Sequence, residues 1–328
     1  MSLAPTRLGA TGPTVFPLGL GCMALSGVYG PTDHASGLAV IRRALDRGVT
    51  LFDTGDLYGM GHNELLVGEA IRGRRDRVQL SVKFGALRDP GGNWLGVDNR
   101  PAAVKTFAAY TLRRLGVEVI DVYRPARLDP AVPIEDTVGA VAELVQKGYV
   151  RHLGLSEVGE DTIRRAVAVH PVVDLQIEYA IVSRGPEARL FPVLRELGLS
   201  ATLYGVLSRG LVTGSTVATP GDFRAHLPRF SATHRAGNDA VLARFRAFAA
   251  DRGHTPASLA YAWVLAKQPG FVPLLGARTV DQLDDSLAAV DRPLTAADVA
   301  ALEALVPADA IAGTRYAAPQ MAHLDSER

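Results

Sequence analysis

The chain has 328 residues, of which 35 are Lys or Arg, 34 are Asp or Glu and 48% are hydrophobic. A formal net charge of +1 provides no basic surface of the kind that binds nucleic acid or an anionic membrane, and no run reaches the roughly 18 apolar residues of a membrane-spanning helix. Cys22 is the only cysteine, which excludes an intramolecular disulfide and a cysteine-based metal cluster. Because the N-terminal segment lacks the pattern of a signal peptide, we expect a cytoplasmic protein.

Eight short runs rich in β-branched and aliphatic residues predict strands. In chain order they lie at 16–20, 49–53, 78–83, 119–123, 150–155, 172–177, 199–204 and 271–275. The segments between them carry apolar residues at helical spacing, and Gly148 and Gly198 stand where a left-handed residue can end two of these helices. Two further helices are predicted near 238–252 and 255–268.

Strand and helix signals alternate along the chain without a linker rich in Pro, Gly or Ser between two halves. This pattern predicts one domain over residues 1–328, an α/β protein with a (β/α)8 TIM barrel fold. Turn residues between Gly9 and Pro13 predict a short N-terminal hairpin that closes one end of the barrel.

The carboxyl ends of the predicted strands carry the candidate site, because the βα loops of such a barrel converge there. The residues at these positions are Asp53, Lys83, Ser156, Gln176, Tyr204 and Gly276, with Tyr58 in the loop after the second strand. Most of them are polar, which is unusual for positions that pack around a barrel mouth. We therefore expect a site here.

Asp53 and Lys83 end neighbouring strands. Taken singly, Asp53 is explained as a cap of the following loop and Lys83 as a surface lysine at a strand tip. Together they favour an ion pair, because an ammonium among apolar neighbours needs a counter-ion. A compact Lys⁺ can approach a phenol, so we expect Lys83 to lower the pKa of Tyr58 from its ordinary value of about 10 and make it a usable proton donor.

Lysine is rare in this chain, which uses arginine as its usual cation. The lysines are Lys83, Lys105, Lys147 and Lys267.

The segments FDTGDLYG at 52–59 and SVKFG at 81–85 resemble the aldo-keto reductase superfamily. Six more segments are similar to family segments in the same order, so the resemblance covers nearly the whole chain. They are LGLGCMALSGVYG at 18–30, LGLSEVGEDTIRRA at 153–166, LQIEY at 175–179, LYGVLSRGLVTG at 203–214, HLPRF at 226–230 and PLLGARTVDQLDDSL at 273–287.

The resemblance implies a reductase that uses NADP(H). It makes Tyr58 the proton donor to a carbonyl oxygen, tuned by Lys83 and Asp53. It implies that Ser156 and Gln176 hold the nicotinamide carboxamide and that Tyr204 stacks under the ring. The phosphate and adenine positions it implies are Gly205, Leu207, Arg209 and Gly210 around the pyrophosphate, Gly276 and Arg278 toward an adenosine 2′-phosphate, and Gln282 and Asp285 near the adenine. A guanidinium suits phosphate geometry.

One position departs from the family pattern. The family's active-site histidine corresponds to Ala126 in VYRPARLDP at 122–130, and loss of one such donor can cost roughly 10²- to 10³-fold in turnover. Three interpretations remain open: Tyr58 and Lys83 suffice, Arg124 or Arg127 directs a cation at the substrate oxygen, or the barrel binds cofactor with little turnover. Glu157 replaces the family's usual asparagine and is expected to bind the carboxamide less well.

We therefore predict an enzyme, an oxidoreductase that transfers a hydride between NADP(H) and a small aldehyde or ketone or the corresponding alcohol. The alternative is a nucleotide-binding barrel with a regulatory or non-redox role. We expect the partner to be a small carbonyl compound, and we expect binding to neither nucleic acid nor a membrane. No metal site is predicted, because the histidines form no HxH or HExxH pattern. GLGCMA at 19–24 matches a dinucleotide fingerprint only weakly. Substrate specificity is expected in the loops at 22–31, 86–98 and 215–237.

Overall fold

The computed structural model describes residues 4–30, 32–217 and 222–328. Parts of two predicted specificity loops, residue 31 and residues 218–221, thus lie outside the described residues. The strands of the described residues are β1 (Thr6–Arg7), β2 (Thr14–Val15), β3 (Gly19–Gly21), β4 (Leu51–Gly55), β5 (Gln79–Phe84), β6 (Ala86–Arg88), β7 (Trp94–Val97), β8 (Ile120–Pro125), β9 (Val150–Ser156), β10 (Val172–Glu178), β11 (Ser200–Tyr204) and β12 (Val272–Leu275). Eight of them are parallel and form a closed barrel in the order β10, β11, β12, β3, β4, β5, β8, β9.

Helices surround the barrel and return the chain from one strand to the next. They are α1 (His34–Asp46), α2 (His62–Ala70), α3 (Pro101–Leu115), α4 (Ile134–Gln146), α5 (Glu160–Val169), α6 (Pro186–Glu196), α7 (Ala232–Asp251), α8 (Pro256–Lys267), α9 (Val280–Leu287), α10 (Ala296–Leu305) and α11 (Ala318–Ala322). Short 3-10 turns lie at Cys22–Ser26, Tyr58–Gly61, Arg75–Arg77, Ser208–Gly210, Phe223–His226, Pro228–Phe230, Ala288–Val290 and Asp325–Glu327.

Each of the eight barrel strands overlaps one of the eight predicted runs, so the (β/α)8 barrel is confirmed. Gly148 and Gly198 adopt φ of 80° and 69° just past α4 and α6, as a residue that ends a helix in the left-handed conformation must. Side chains begin other helices: Asp33 accepts a hydrogen bond from Ser36 N at 2.8 Å at the start of α1, which satisfies a backbone donor of the first turn.

The N-terminal hairpin β1–β2 is confirmed and lies against the amino ends of the barrel strands. Leu8 in its turn and Val15 in β2 are 0% and 1% exposed. They pack in one apolar cluster with barrel residues, namely Leu51, Val122, Val173, Val272 and Leu274. The hairpin therefore closes this end of the barrel with apolar side chains, and the opposite end is left for the polar strand termini.

Two features differ from the sequence prediction. The predicted loop after β5 contains the antiparallel pair β6–β7, whose strands of three and four residues are too short to show a pattern. The chain after residue 307, where the weak periodicity of the sequence predicts no element, folds back over the barrel mouth: Ser326 N donates to Glu157 O at 3.3 Å.

Candidate active site

Asp53 and Lys83 meet at the carboxyl end of the barrel, as predicted. They end the neighbouring strands β4 and β5 and are only 3% and 6% exposed. Lys83 Nζ donates to Asp53 Oδ1, and Asp53 Oδ2 accepts from Ser81 Oγ at 2.7 Å and from Gln176 Nε2 at 2.8 Å. Both oxygens are thus used, so the carboxylate is held in one orientation beside its counter-ion.

Tyr58 lies over this ion pair. The chain turns sharply after it, with Gly59 and Met60 at φ of 58° and 51°. Lys83 Nζ lies 5.4 Å from the centroid of the Tyr58 ring. The sequence therefore brings a phenol, an ammonium and a carboxylate together from three separate segments.

The expected direction of the Tyr58 pKa is wrong. Burial raises the pKa of Tyr58 well above its ordinary value and Asp53 raises it further, while Arg127 is the cation that lowers it. The reason is that Asp53 neutralises Lys83 and desolvation disfavours the phenolate. The same burial lowers the pKa of Lys83; Asp53 opposes this effect, and Arg124 and Arg127 add to it.

The two arginines near Ala126 take different places. Arg124 is 0% exposed and lies inside the barrel, where its Nη1 is 3.1 Å from Asp174 Oδ2. Arg127 follows the strand end, and its charge lowers the pKa of both Tyr58 and Glu157. Within the described chain its guanidinium forms no ion pair and donates to Ala126 O at 2.6 Å. Of these two arginines, Arg127 is thus the one whose charge acts at the mouth.

Ser156 and Gln176, which are predicted to hold a carboxamide, lie near the carboxyl ends of β9 and β10. Ser156 Oγ is buried and has no hydrogen-bond partner among the described residues. A buried hydroxyl without a partner is uncommon and fits a ligand that supplies one. Gln176 Nε2 donates into the barrel, to Asp53 and to Thr202 Oγ1 at 3.3 Å, which leaves the amide oxygen to meet a ligand.

Glu157 is engaged on the protein side of the mouth. It adopts φ of 53° and accepts from Tyr204 Oη at 2.6 Å, from Arg315 Nη1 at 2.9 Å and from Ser326 Oγ at 2.6 Å. Burial opposes its ionisation, but Arg315, Arg127 and Ser326 outweigh burial and lower its pKa to about 2. Glu157 is therefore an anchor for the C-terminal tail rather than a weak replacement for asparagine.

The C-terminal tail contributes residues that the sequence prediction missed. Arg315 is 7% exposed. The centroid of the Tyr316 ring lies 4.5 Å from the Arg209 guanidinium, and Tyr316 Oη lies 3.1 Å from Tyr204 Oη. Asp325 accepts from Gly159 N and Thr162 Oγ1, both at 2.7 Å. No local signal links residue 315 to residue 157, because the contact depends only on the return path of the chain.

The segment predicted to wrap a pyrophosphate has an unusual backbone. Gly205, Ser208, Arg209 and Gly210 all have positive φ, between 47° and 89°, and Leu207 packs against the core. Ser208 N and Gly210 N donate to Gly205 O and Leu207 O at 2.7 and 2.8 Å, so these N–H groups are used within the turn. Positive φ at the non-glycine residues marks a strained backbone of the kind found at ligand sites. The Arg209 side chain is directed elsewhere, since it pairs with Glu178 at 2.7 Å.

Arg278 lies in the segment between β12 and α9. Its Nη1 donates to Tyr29 O at 2.9 Å, and its backbone N donates to Gln282 Oε1 at 2.9 Å. Among the described residues it pairs with no carboxylate, and a side chain added at Gly276 would enter open space. Asp285, on the same helix, is partly exposed. These features leave room and an unpaired cation for a phosphate group.

Other kinds of site find no support in the part of the chain that the structure describes. It contains no group of three or more His, Cys, Asp or Glu side chains placed to hold a metal ion. None of its helices combines the length and apolarity needed to cross a membrane.

Comparison with known proteins gives one consistent result. The sequence pattern of the Aldo/keto reductase family matches residues 17–307. The probable aldo-keto reductase 1 of Glycine max is 39% identical over 320 residues, which cover 96% of this chain and 92% of that protein. The glycerol dehydrogenase of Gluconobacter oxydans superposes with a TM-score of 0.84 at 27% identity, covering 94% of this chain and 98% of that one.

An aldo/keto reductase of Klebsiella pneumoniae, solved in complex with NADP and acetate, superposes with a TM-score of 0.74 at 25% identity. The match covers 95% of this chain and 100% of that one. Because the family pattern spans nearly the whole barrel and a full-length relative shares well over a third of its residues, the chain belongs to the aldo/keto reductase family.

Proposed function

We propose that this oxidoreductase uses NADP(H) to interconvert a small aldehyde or ketone and the corresponding alcohol, with Tyr58 as proton donor. The observation that carries the proposal is the buried ion pair of Lys83 with Asp53 beneath the Tyr58 ring. A charged pair buried at a barrel mouth beside a phenol is costly as a purely structural device. The cost of burying this pair is explained if the pair assists proton transfer by the phenol.

The residues of the mouth fit a nicotinamide cofactor in three places. Ser156 offers a buried hydroxyl without a partner among the described residues, Ser208 offers another in the turn after β11, and Arg278 offers a guanidinium. When bound, the cofactor would supply or accept the hydride. The NADP carried by the Klebsiella pneumoniae structure supports the choice of NADP(H), and a guanidinium at the far end of the site supports it physically.

Tyr58 keeps its proton at neutral pH because burial and Asp53 raise its pKa. It is therefore in the correct state to donate to a carbonyl oxygen that gains negative charge. The phenolate left behind is stabilised by Arg127, whose charge lowers the pKa of Tyr58, while Lys83 lies beside the ring in its pair with Asp53. The charge of Arg127 is in place before the proton moves, which is how a preorganised site lowers a barrier.

Ala126, which is 4% exposed, occupies the position of the family's active-site histidine. We propose that Arg127 takes over part of its role by directing its guanidinium at the substrate oxygen. Arg124 is excluded from that role by its position inside the barrel. The complete Tyr58, Lys83 and Asp53 arrangement and the family membership favour turnover over the regulatory alternative.

The test is oxidation of NADPH, followed by its absorbance, with a panel of small aldehydes and ketones. We expect turnover in the wild type and a fall in kcat of about 10²- to 10⁴-fold in Tyr58→Phe, with the NADPH dissociation constant unchanged. Tyr110→Phe is the matched control, because Tyr110 is 57% exposed on α3 and its loss should leave kcat as it is.

Two outcomes would contradict the proposal. Tight NADPH binding without oxidation of any panel member would favour the regulatory alternative. Undiminished kcat in Tyr58→Phe would mean that the proton comes from another group.

A further inference from the structure

A second polar layer lies inside the barrel, one step below the site. It consists of residues that each precede a strand-end position by two, and that therefore point to the same face of their strands. The members of this inner layer are Ser81, Arg124, Gly154, Asp174 and Thr202. The four side chains of the layer are all 0% exposed.

Arg124 is the centre of the inner layer. Its Nη1 donates to Asp174 Oδ2 at 3.1 Å and to Thr202 Oγ1 at 3.2 Å, and its Nη2 donates to Ser81 Oγ at 3.0 Å. The guanidinium thus crosses the barrel from β8 and reaches β5, β10 and β11.

Gly154 makes room for this arrangement. A Cβ atom built at Gly154 would lie 2.7 Å from Asp174 Oδ1 and 3.1 Å from Arg124 Cζ. The first distance is closer than a carbon and an oxygen can pack. The lack of a side chain on β9 is therefore matched to the guanidinium and carboxylate that fill the interior.

Two short paths join the inner layer to the ion pair above it. Ser81 accepts from Arg124 and donates to Asp53 Oδ2 at 2.7 Å. Thr202 accepts from Arg124 and from Gln176 Nε2, which donates to the same oxygen of Asp53 at 2.8 Å. Both paths end on Oδ2, so Oδ1 remains for Lys83.

The inner pair is a poor stabilising device. Arg124 Nε and Asp174 Oδ1 are buried without a hydrogen-bond partner among the described residues. Burying a guanidinium and a carboxylate costs several kcal/mol per ion, and a well-packed apolar pair is often as stable. The effect of Arg124 is therefore to be sought in the groups next to it, and Lys83 is its register partner on β5.

We propose that Arg124 is a positioning residue for the reaction. With Asp174 as its counter-ion, it fixes Asp53 through Ser81 and through Thr202 and Gln176, and it places a permanent positive charge beside Lys83. This inference rests on the proposed function for its effect on turnover, but its effect on Lys83 is independent of turnover.

The charge of Arg124 disfavours a second cation nearby, so it acts in the same direction as burial on the pKa of Lys83. Removing that charge should raise the pKa of Lys83. The groups that interact with Lys83 are Asp53 from β4, Tyr58 from the following loop, Arg124 from β8, Arg127 after β8, and the Cys22 thiol after β3. The variants below leave all of these unchanged except Arg124.

The scarcity of lysine makes this measurable. Protein labelled with ¹³Cε-lysine gives signals from four side chains, and Lys83→Met identifies the one from Lys83. In the cofactor-free chain, the Lys83 signal should titrate at higher pH in Arg124→Gln/Asp174→Asn than in the wild type, while Lys105, Lys147 and Lys267 keep their titrations. The double variant removes both inner charges together, so it leaves no unpaired ion that would prevent folding.

Arg151→Gln is the matched control. Arg151 lies at the opposite end of β9 and pairs with Asp121 at 2.7 Å, so its loss removes a cation far from Lys83. We expect no change in the Lys83 titration. An unchanged titration in the double variant would overturn the proposal, as would an equal shift in the control.

Ser81→Ala tests the positioning path with both inner charges kept. It should leave the Lys83 titration near that of the wild type and lower kcat about 10- to 100-fold, since small displacements of a reacting group have effects of this size. A kcat equal to that of the wild type would overturn the path through Ser81. A wild-type protein without turnover would refute the proposed function, and the titration would still decide on Arg124.

Discussion

The two ends of the barrel are built from the same eight strands but have opposite chemistry. At the amino ends, Leu8 and Val15 of the hairpin close the barrel with apolar side chains. At the carboxyl ends, the pairs Lys83 with Asp53 and Arg315 with Glu157 are buried together with several hydroxyl groups. One end stabilises the fold by removing apolar surface from water, and the other places buried charge where a ligand would bind.

The difference suggests that stability and activity can be changed separately. Changes at the closed end should lower the free energy of unfolding without altering the chemistry. Changes at the mouth should alter charge balance, proton transfer or cofactor choice. The C-terminal tail is the exception that joins the two properties, because its docking depends on a buried ion pair within the mouth.

Arg315→Met should have the largest effect on stability. It leaves Glu157, which is 0% exposed, without its bidentate partner, and removal of one member of a buried pair costs about 3–5 kcal/mol. Urea unfolding at pH 7 measures the loss. Arg315→Met/Glu157→Gln should recover more than half of it. Arg164→Met is the control, since its pair with Glu196 is exposed and is worth less than about 1 kcal/mol. Equal losses for Arg315 and Arg164 would refute the difference between buried and exposed pairs.

Leu8→Ala tests the closed end. Leu8 is 0% exposed in the apolar cluster, and such a truncation costs about 3 kcal/mol through lost burial and the cavity that remains. Urea unfolding should show this loss. At a temperature where the variant stays folded, kcat and the Michaelis constants should equal those of the wild type. A fall in kcat would mean that the two ends are coupled.

The pH dependence of stability should report the anchor of the tail. Glu157 has a folded-state pKa of about 2, below the value of about 4.3 expected in an unfolded chain. Its contribution is therefore complete above about pH 4.3 and is lost as the pH falls toward 2, and it amounts to at most about 3 kcal/mol. Unfolding free energies measured across this range should fall more steeply in the wild type than in Glu157→Gln. Parallel curves would show that Glu157 is not held as an anion.

The sequence was sufficient for the barrel and for the pairing of Asp53 with Lys83. Periodicity located all eight strands, and once the strands are placed, the convergence of their carboxyl ends brings Asp53 to Lys83. The β6–β7 hairpin escaped prediction because strands of three and four residues carry too little pattern. The tail escaped because its contacts depend on where the chain returns in space.

Arg124 shows a different limit of sequence reasoning. The two-residue period correctly places Arg124 on the same strand face as Ala126, but it does not tell depth along that face. Two residues correspond to roughly 6.6 Å along a strand, which is enough to move a guanidinium from the mouth into the interior. The period also could have revealed the inner layer, since Ser81, Asp174 and Thr202 each precede a strand-end residue by two.

Substitution of Arg278, at the edge of the mouth, should have the smallest effect of these changes. It tests the choice between NADPH and NADH. Its guanidinium forms no ion pair among the described residues, and a charged hydrogen bond to a phosphate is worth about 1.5–3 kcal/mol. Arg278→Met should therefore raise the dissociation constant of NADPH about 10- to 100-fold and change that of NADH little, as fluorescence titration would show. Arg47→Met is the control, because Arg47 contacts Asp284 of α9, the helix that follows Arg278, at 2.9 Å. Its loss should leave both dissociation constants unchanged. Since Arg278 also donates to Tyr29 O, equal weakening of NADPH and NADH would assign it to holding the first loop, and only a selective loss of NADPH supports a contact with the 2′-phosphate.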